Sequence, residues 1–135
     1  MKRTIFAQAI VSAVLALTAA VVYDRIYFFA TGADFSAIVN LTTIIAANVF
    51  VSLLAGLVCW LSSLIFRRNA SIIFNLVYST GSFAFLIVPV AATLPLSIPL
   101  PELFPGLVVP MVFFPALSWM TIDPFFRRIE QRDRN

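Results

Sequence analysis

Four stretches of this chain hold no Asp, Glu, Lys or Arg: residues 4–23, 35–66, 69–101 and 103–122, which are 20, 32, 33 and 20 residues long. A helix rises about 1.5 Å per residue, so crossing about 30 Å of hydrocarbon takes roughly 20 residues. Two of the runs are just long enough for one crossing. The longer two fall short of the roughly 40 residues plus a turn that two crossings need, so each supplies one span with extra turns or loop attached. The spacing predicts an all-α integral membrane protein, a single four-helix transmembrane domain over residues 1–135. Its spans are expected at about 4–28, 36–66, 70–93 and 102–122, arranged as an up-down bundle.

Charge sets the expected orientation. Eight of the nine basic residues fall at three places, Lys2 and Arg3, Arg67 and Arg68, and the tail from Arg127 to Arg134. Positive residues collect on the cytoplasmic side, which puts both termini and the Arg67–Arg68 turn inside. The two outer loops then keep Arg25 with Asp24, Asp34 and Glu102. This is the pattern of a multi-pass protein of the cell membrane, of the bacterial inner-membrane type, with Arg67, Arg68, Arg127 and Arg128 as inner-leaflet anchors. Met1 to Ala20 also has the basic start and small residues of a signal peptide. Its apolar run exceeds the roughly 7 to 15 residues of a signal core, which favours a retained first span. The net charge of +3 follows from the topology bias. No basic patch with interleaved readers is present, so nucleic acid is not an expected partner.

Within the spans the polar residues are neutral and periodic. Gln8, Ser12, Ala16, Ala19 and Tyr23 recur at three and four residues, a small-residue face expected to point into the bundle. Tyr23, Tyr27, Phe28 and Phe29 are expected to form an aromatic belt at the outer interface, with Gly32 as the helix stop. Asn48, Ser52, Ala55, Gly56, Cys59 and Ser63 make a polar stripe on the second span, and Asn75, Tyr78, Ser79 and Ser82 share a face of the third. An unpaired amide in hydrocarbon costs several kcal/mol. Asn48 and Ser52 are therefore expected to bond Asn75 and Ser79 across neighbouring helices, or with them to line a narrow polar cavity. Asn40-Leu41-Thr42 matches a glycosylation sequon but lies too near the hydrocarbon to serve as one.

Prolines punctuate the second half. Pro89 interrupts the third helix at the Phe85 carbonyl, and Pro95, Pro99 and Pro101 stiffen the loop after it. Pro101 and Glu102 suit the opening turn of the fourth span. Pro110 and Pro115 are expected to kink that span and to free carbonyls that a hydroxyl, another helix or water must satisfy. Asp123-Pro124 reads as the cap of a separate short interfacial helix carrying Phe125, Phe126 and Ile129 opposite its arginines.

The residue types that most chemistry requires are scarce. There is no histidine, which removes the usual general base and the commonest haem and zinc ligands. Cys59 is the single cysteine, so disulfide exchange by a cysteine pair is excluded. Asp24 and Asp123 lie at opposite membrane faces, too far apart for an intramembrane aspartyl dyad. No cofactor or metal is expected, and no catalysis. The expected function is that of an accessory or structural subunit of a membrane complex, or a self-associating bundle, with the bilayer and another membrane protein or itself as partners. The alternative is a small oligomeric permeation or transport unit for a solute or lipid. Asp24, Arg25, Asp34 and Glu102 form a candidate outer recognition cluster.

With Cys59 replaced by serine, single cysteines at Gly32 and Asn69 test the orientation. A membrane-impermeant maleimide applied from outside should label the cysteine at 32 and spare that at 69; labelling at 69 would reverse the topology.

Overall fold

The computed structural model describes residues 2–66, 69–95 and 97–132. The elements are helices α1 (Lys2–Thr31), α2 (Leu41–Ile65), α3 (Ala70–Phe85), α4 (Ile87–Ala91) and α5 (Phe104–Arg132), with a 3₁₀ turn at Pro101–Leu103 before the last. No strand occurs among the described residues. Four segments are long and apolar enough to cross a membrane: Thr4–Thr31, Leu41–Ile65, Ala70–Ala91 and Pro101–Arg132. At about 1.5 Å per residue, even the shortest of these spans the hydrocarbon thickness.

The terminal signals explain where the helices stop. Gly32 adopts φ +68 and its N–H donates to the Phe28 carbonyl at 2.8 Å, the left-handed closure that a glycine takes without a steric penalty. The second helix begins at Leu41 and not at residue 36, because Asn40 and Thr43 form a reciprocal cap. The Thr43 N–H donates to Asn40 Oδ1 at 2.9 Å, and the Asn40 N–H donates to Thr43 Oγ1 at 2.8 Å. The sequon match at Asn40 is thus part of a helix start. The third run breaks at Leu86, between α3 and α4, three residues before the buried Pro89. Pro89 has no N–H for the Phe85 carbonyl, which accounts for the break.

The four long segments form an antiparallel ring. α1 packs on α2 and α5, and α3 packs on α2 and α5, while the diagonals scarcely touch. Gln8 meets Asp123 at one end of the α1–α5 pair and Tyr27 meets Leu103 at the other. Close approach is possible because α1 turns Ala9, Ser12, Ala16 and Ala20 inward, all buried. One core cluster joins Ala9, Ala55, Phe74 and Trp119; a second joins Ala33, Phe35, Phe104 and Leu107. The Phe74 ring centre lies 5.1 Å from that of Trp119, which ties α3 to α5.

The surface is the reverse of a water-soluble bundle. Phe6, Ile10, Phe50, Leu64, Ile72 and Val90 are each more than half exposed. Seven of the buried residues are polar: Gln8, Ser12, Asn48, Ser52, Ser62, Ser82 and Ser118. An apolar exterior over this polar, small-residue interior suits hydrocarbon, and the four candidate spans suggest a multi-pass membrane protein.

Tyr23 and Tyr27, expected in an aromatic belt at the outer interface with the exposed Phe28 and Phe29, are half-buried. Their hydroxyls turn onto α5, Tyr23 donating to the Gly106 carbonyl at 2.9 Å and Tyr27 to the Leu103 carbonyl at 2.6 Å. Gly106 lies four residues before Pro110, so the Tyr23 hydroxyl takes the place of the N–H that proline lacks. The tail is also no separate helix: α5 continues through Asp123 and Pro124 to Arg132. Asp123 is engaged from the side by α1 and by Arg127, so its carboxylate does not cap a new start.

A methyl group at Gly106 would lie 2.6 Å from Tyr27 Oη, so alanine there must push that hydroxyl off Leu103. Gly106→Ala and Tyr27→Phe are therefore expected to be non-additive by about 1 kcal/mol, the worth of one hydrogen bond. Reversible unfolding of the two single variants and the double variant in mixed micelles measures this coupling.

Candidate functional site

The second span's polar stripe does face inward. Asn48, Ser52 and Ala55 are buried, while Leu53, Leu54 and Leu57 on the other side are exposed. The expected bonds to the third span do not form. Asn48 Nδ2 donates to the Ile44 carbonyl of its own helix at 2.8 Å, and Asn48 Oδ1, Ser52 Oγ and Asn75 Oδ1 are enclosed without a hydrogen-bond partner. The reason is hairpin register. The α2–α3 turn closes with the Asn69 N–H on the Phe66 carbonyl, so Asn75 lies level with Trp60. Asn48 stands near the level of Ile87, about 18 Å further along the axis at 1.5 Å per residue. Ser79 is half-buried, one helical turn from Asn75. Ser82, whose hydroxyl donates to the Tyr78 carbonyl at 2.9 Å, is the α3 serine that shares a groove with Asn48.

Two grooves flank α2. One, of about 670 Å³, runs between α1 and α2 over Ala9, Ala13, Ser52 and Gly56. The other, of about 590 Å³, runs between α2 and α3, with Met111, Val112 and Pro115 of α5 at its base and Asn48 and Ser82 on its walls. Both are dominated by apolar side chains and open at the side of the bundle. Cys59, the free cysteine, is half-buried beside Ala9, Phe74 and Trp119, where it fills the core.

The expected outer cluster is loose. Asp24, Arg25 and Asp34 are near enough to interact electrostatically. Arg25, Asp34 and Glu102 are exposed, and Asp24 is half-buried. The Ser36 hydroxyl and N–H hold the Asp34 carboxyl below its ordinary range, the N–H lying 2.9 Å from Oδ1. Of the anchors, Arg67 and Arg68 lie outside the described residues, Arg128 is exposed, and Arg127 is part of a network.

That network, at the opposite end of the bundle, was not expected. Gln8 Nε2 donates to Asp123 Oδ1 at 3.2 Å, and Arg127 Nε donates to Asp123 Oδ2 at 2.7 Å. Arg127 also reaches the Ser71 hydroxyl, so α1, α3 and α5 are joined at one point. The Asp123–Arg127 spacing of four was visible in the sequence as an ion pair on one helix face. Its connection to Gln8 requires the antiparallel docking of α1 on α5. Among the described residues no group of three or more His, Cys, Asp or Glu is close enough to hold a metal ion.

Asp123→Leu leaves the buried Gln8 amide without its acceptor and is expected to cost about 1–3 kcal/mol. Arg127→Ala should cost less, because the Arg127 side chain is 48% exposed and water replaces its bonds. Thermal unfolding of both variants in the same detergent checks the order.

No protein-family model, curated protein or solved structure matches this chain.

Proposed function

We propose that this protein is a non-catalytic membrane bundle that acts as an accessory or structural subunit, docking on another membrane protein or on itself. One observation carries the reading: α2, with the outward faces of α1 and α3, presents broad apolar surface around two side grooves, while the inward face of α1 is engaged with α5 along most of its length. A loosely packed edge beside a tightly packed pair gives a partner helix shape to fit, and in lipid such fit is the main source of association. Both termini lie on the cytoplasmic side of a bacterial inner membrane in this reading, with the arginines of the tail at the inner leaflet.

A conduit through one bundle fits the geometry less well. Ala16, Ala20, Phe74, Leu107 and Trp119 are nearly inaccessible along the interior, and the buried serines and Asn48 sit among them instead of lining a continuous route. Charged groups inside the helices occur near their ends, where a proton-coupled carrier would need one at depth.

Native mass measurement of the protein extracted in its own lipid patch, with identification of what accompanies it, tests the proposal. A stoichiometric second protein or a defined homo-oligomer is expected. A monomer without partners would overturn it.

A further inference from the structure

The segment from Asp123 to Arg132, which ends α5, carries two unlike faces. At about 100° per residue, Asp123, Arg127 and Glu130 fall within an arc of about 60°, while Phe125, Arg128, Ile129 and Arg132 fall within an arc of about 100° on the other side. The first group turns into the bundle. Gln8 and Arg127 both donate to the Asp123 carboxylate, Arg127 reaches the Ser71 hydroxyl, and Glu130 is half-buried. The second group is exposed throughout, Phe125 at 72%. Among the described residues the outward face therefore holds two arginines, two large apolar side chains and no carboxylate.

Depth and charge select the occupant. From Glu102 to Asp123 the chain carries no charge in between, and this stretch rises about 31 Å at 1.5 Å per residue. That matches about 30 Å of hydrocarbon and puts Asp123 at its edge, with a headgroup layer roughly 5–8 Å deep beyond it. Phe125 lies in that layer. Arg128 stands at its limit, about 7 Å past Asp123, and Arg132, about 13 Å past, can reach back along its own flexible stem. On the same side of α5 but inside the hydrocarbon, Thr121 and Leu117 are exposed as well. One phospholipid covers this whole strip, with an acyl chain on Leu117 and Phe125 and its phosphate at the arginines. A soluble protein segment meets only the last turns. Between headgroups, a zwitterionic one brings its own cation toward the two arginines, whereas a net-negative one does not.

We infer that the outward face of the α5 end binds anionic phospholipid, with Arg128 and Arg132 holding the phosphate and Arg127 taking no part. Guanidinium groups suit a phosphate because several N–H donors meet its oxygens at once. Each arginine near an anionic surface strengthens association about fivefold. The Arg127 charge is already matched by Asp123, from which its Nε lies 2.7 Å. The placement of this face at the inner leaflet rests on the topology proposed above; its headgroup preference does not.

The test uses the full chain in nanodiscs made of equal parts phosphatidylglycerol and phosphatidylethanolamine with identical acyl chains. Both leaflets are the same, so the orientation of the protein does not enter, and the result is independent of whether the protein has a partner subunit. Native mass spectrometry reads which lipids stay on the released protein. Retained lipid is expected to be about fivefold enriched in phosphatidylglycerol. Arg128→Gln with Arg132→Gln should lower that enrichment severalfold, while Arg127→Gln leaves it unchanged. If Arg127→Gln does not fold, Arg25→Gln, which removes one charge at the other end of the bundle, serves as the control. Absence of enrichment in the native protein would overturn the inference, as would full enrichment in the double variant. An equal loss per charge in the control would also overturn it, by assigning the effect to net charge alone. A protein that crosslinks to residues 125–132 and displaces the lipid would give the face to that protein and overturn it equally.

Discussion

The fold depends on the close approach of α1 and α5. Hydrocarbon supplies no hydrophobic drive between helices, so the pair must be held by fit and by hydrogen bonds. Ala9, Ser12, Ala16 and Ala20 provide the fit by keeping the α1 face shallow. Tyr23 and Tyr27 provide bonds at one end, on the Gly106 and Leu103 carbonyls, and Gln8 provides one at the other, on Asp123. Each fixes the vertical register of the two helices, and together they leave little freedom to slide.

This pairing also makes the prolines of α5 tolerable. A proline inside a helix withdraws one donor and leaves a carbonyl that lipid cannot satisfy. At Pro110 a tyrosine from the neighbouring helix meets the requirement. Near Pro115 the Ser12 hydroxyl approaches that residue's own carbonyl at 3.5 Å, a long contact, and not the Met111 carbonyl that the missing N–H would have served. The helix is thus continuous from Phe104 to Arg132 in the setting of its partner.

The other half of the ring is built differently. α2 and α3 are joined by a tight turn but share fewer close contacts than α1 and α5 do, and both side grooves border α2. Enclosed acceptors without donors concentrate there, on Asn48, Ser52 and Asn75. In a medium that offers no water, such atoms favour association, whether with a polar lipid group or with a partner helix. The proposed subunit role draws on this uneven division, with the looser packing around α3.

Hydropathy and length alone determined the four helical segments, because a charge-free run of sufficient length has one economical fate in a bilayer. The inward faces of α1 and α2 were legible from spacing, as was the stop at Gly32, where a glycine relieves the steric penalty of φ +68. The interruption near Pro89 was legible too, from the missing N–H. Tertiary structure decided what those faces touch. Asn48 and Asn75 looked like partners by residue type, yet the hairpin turn sets them at different depths. Tyr23 and Tyr27 looked like an interfacial belt, yet carbonyls on α5 lie within reach of their hydroxyls. Asp123 looked like the cap of a new helix, yet Gln8, 115 positions earlier, engages its carboxylate from the side. In each case the periodicity named the face, while the partner depended on the register between helices, which no local pattern encodes.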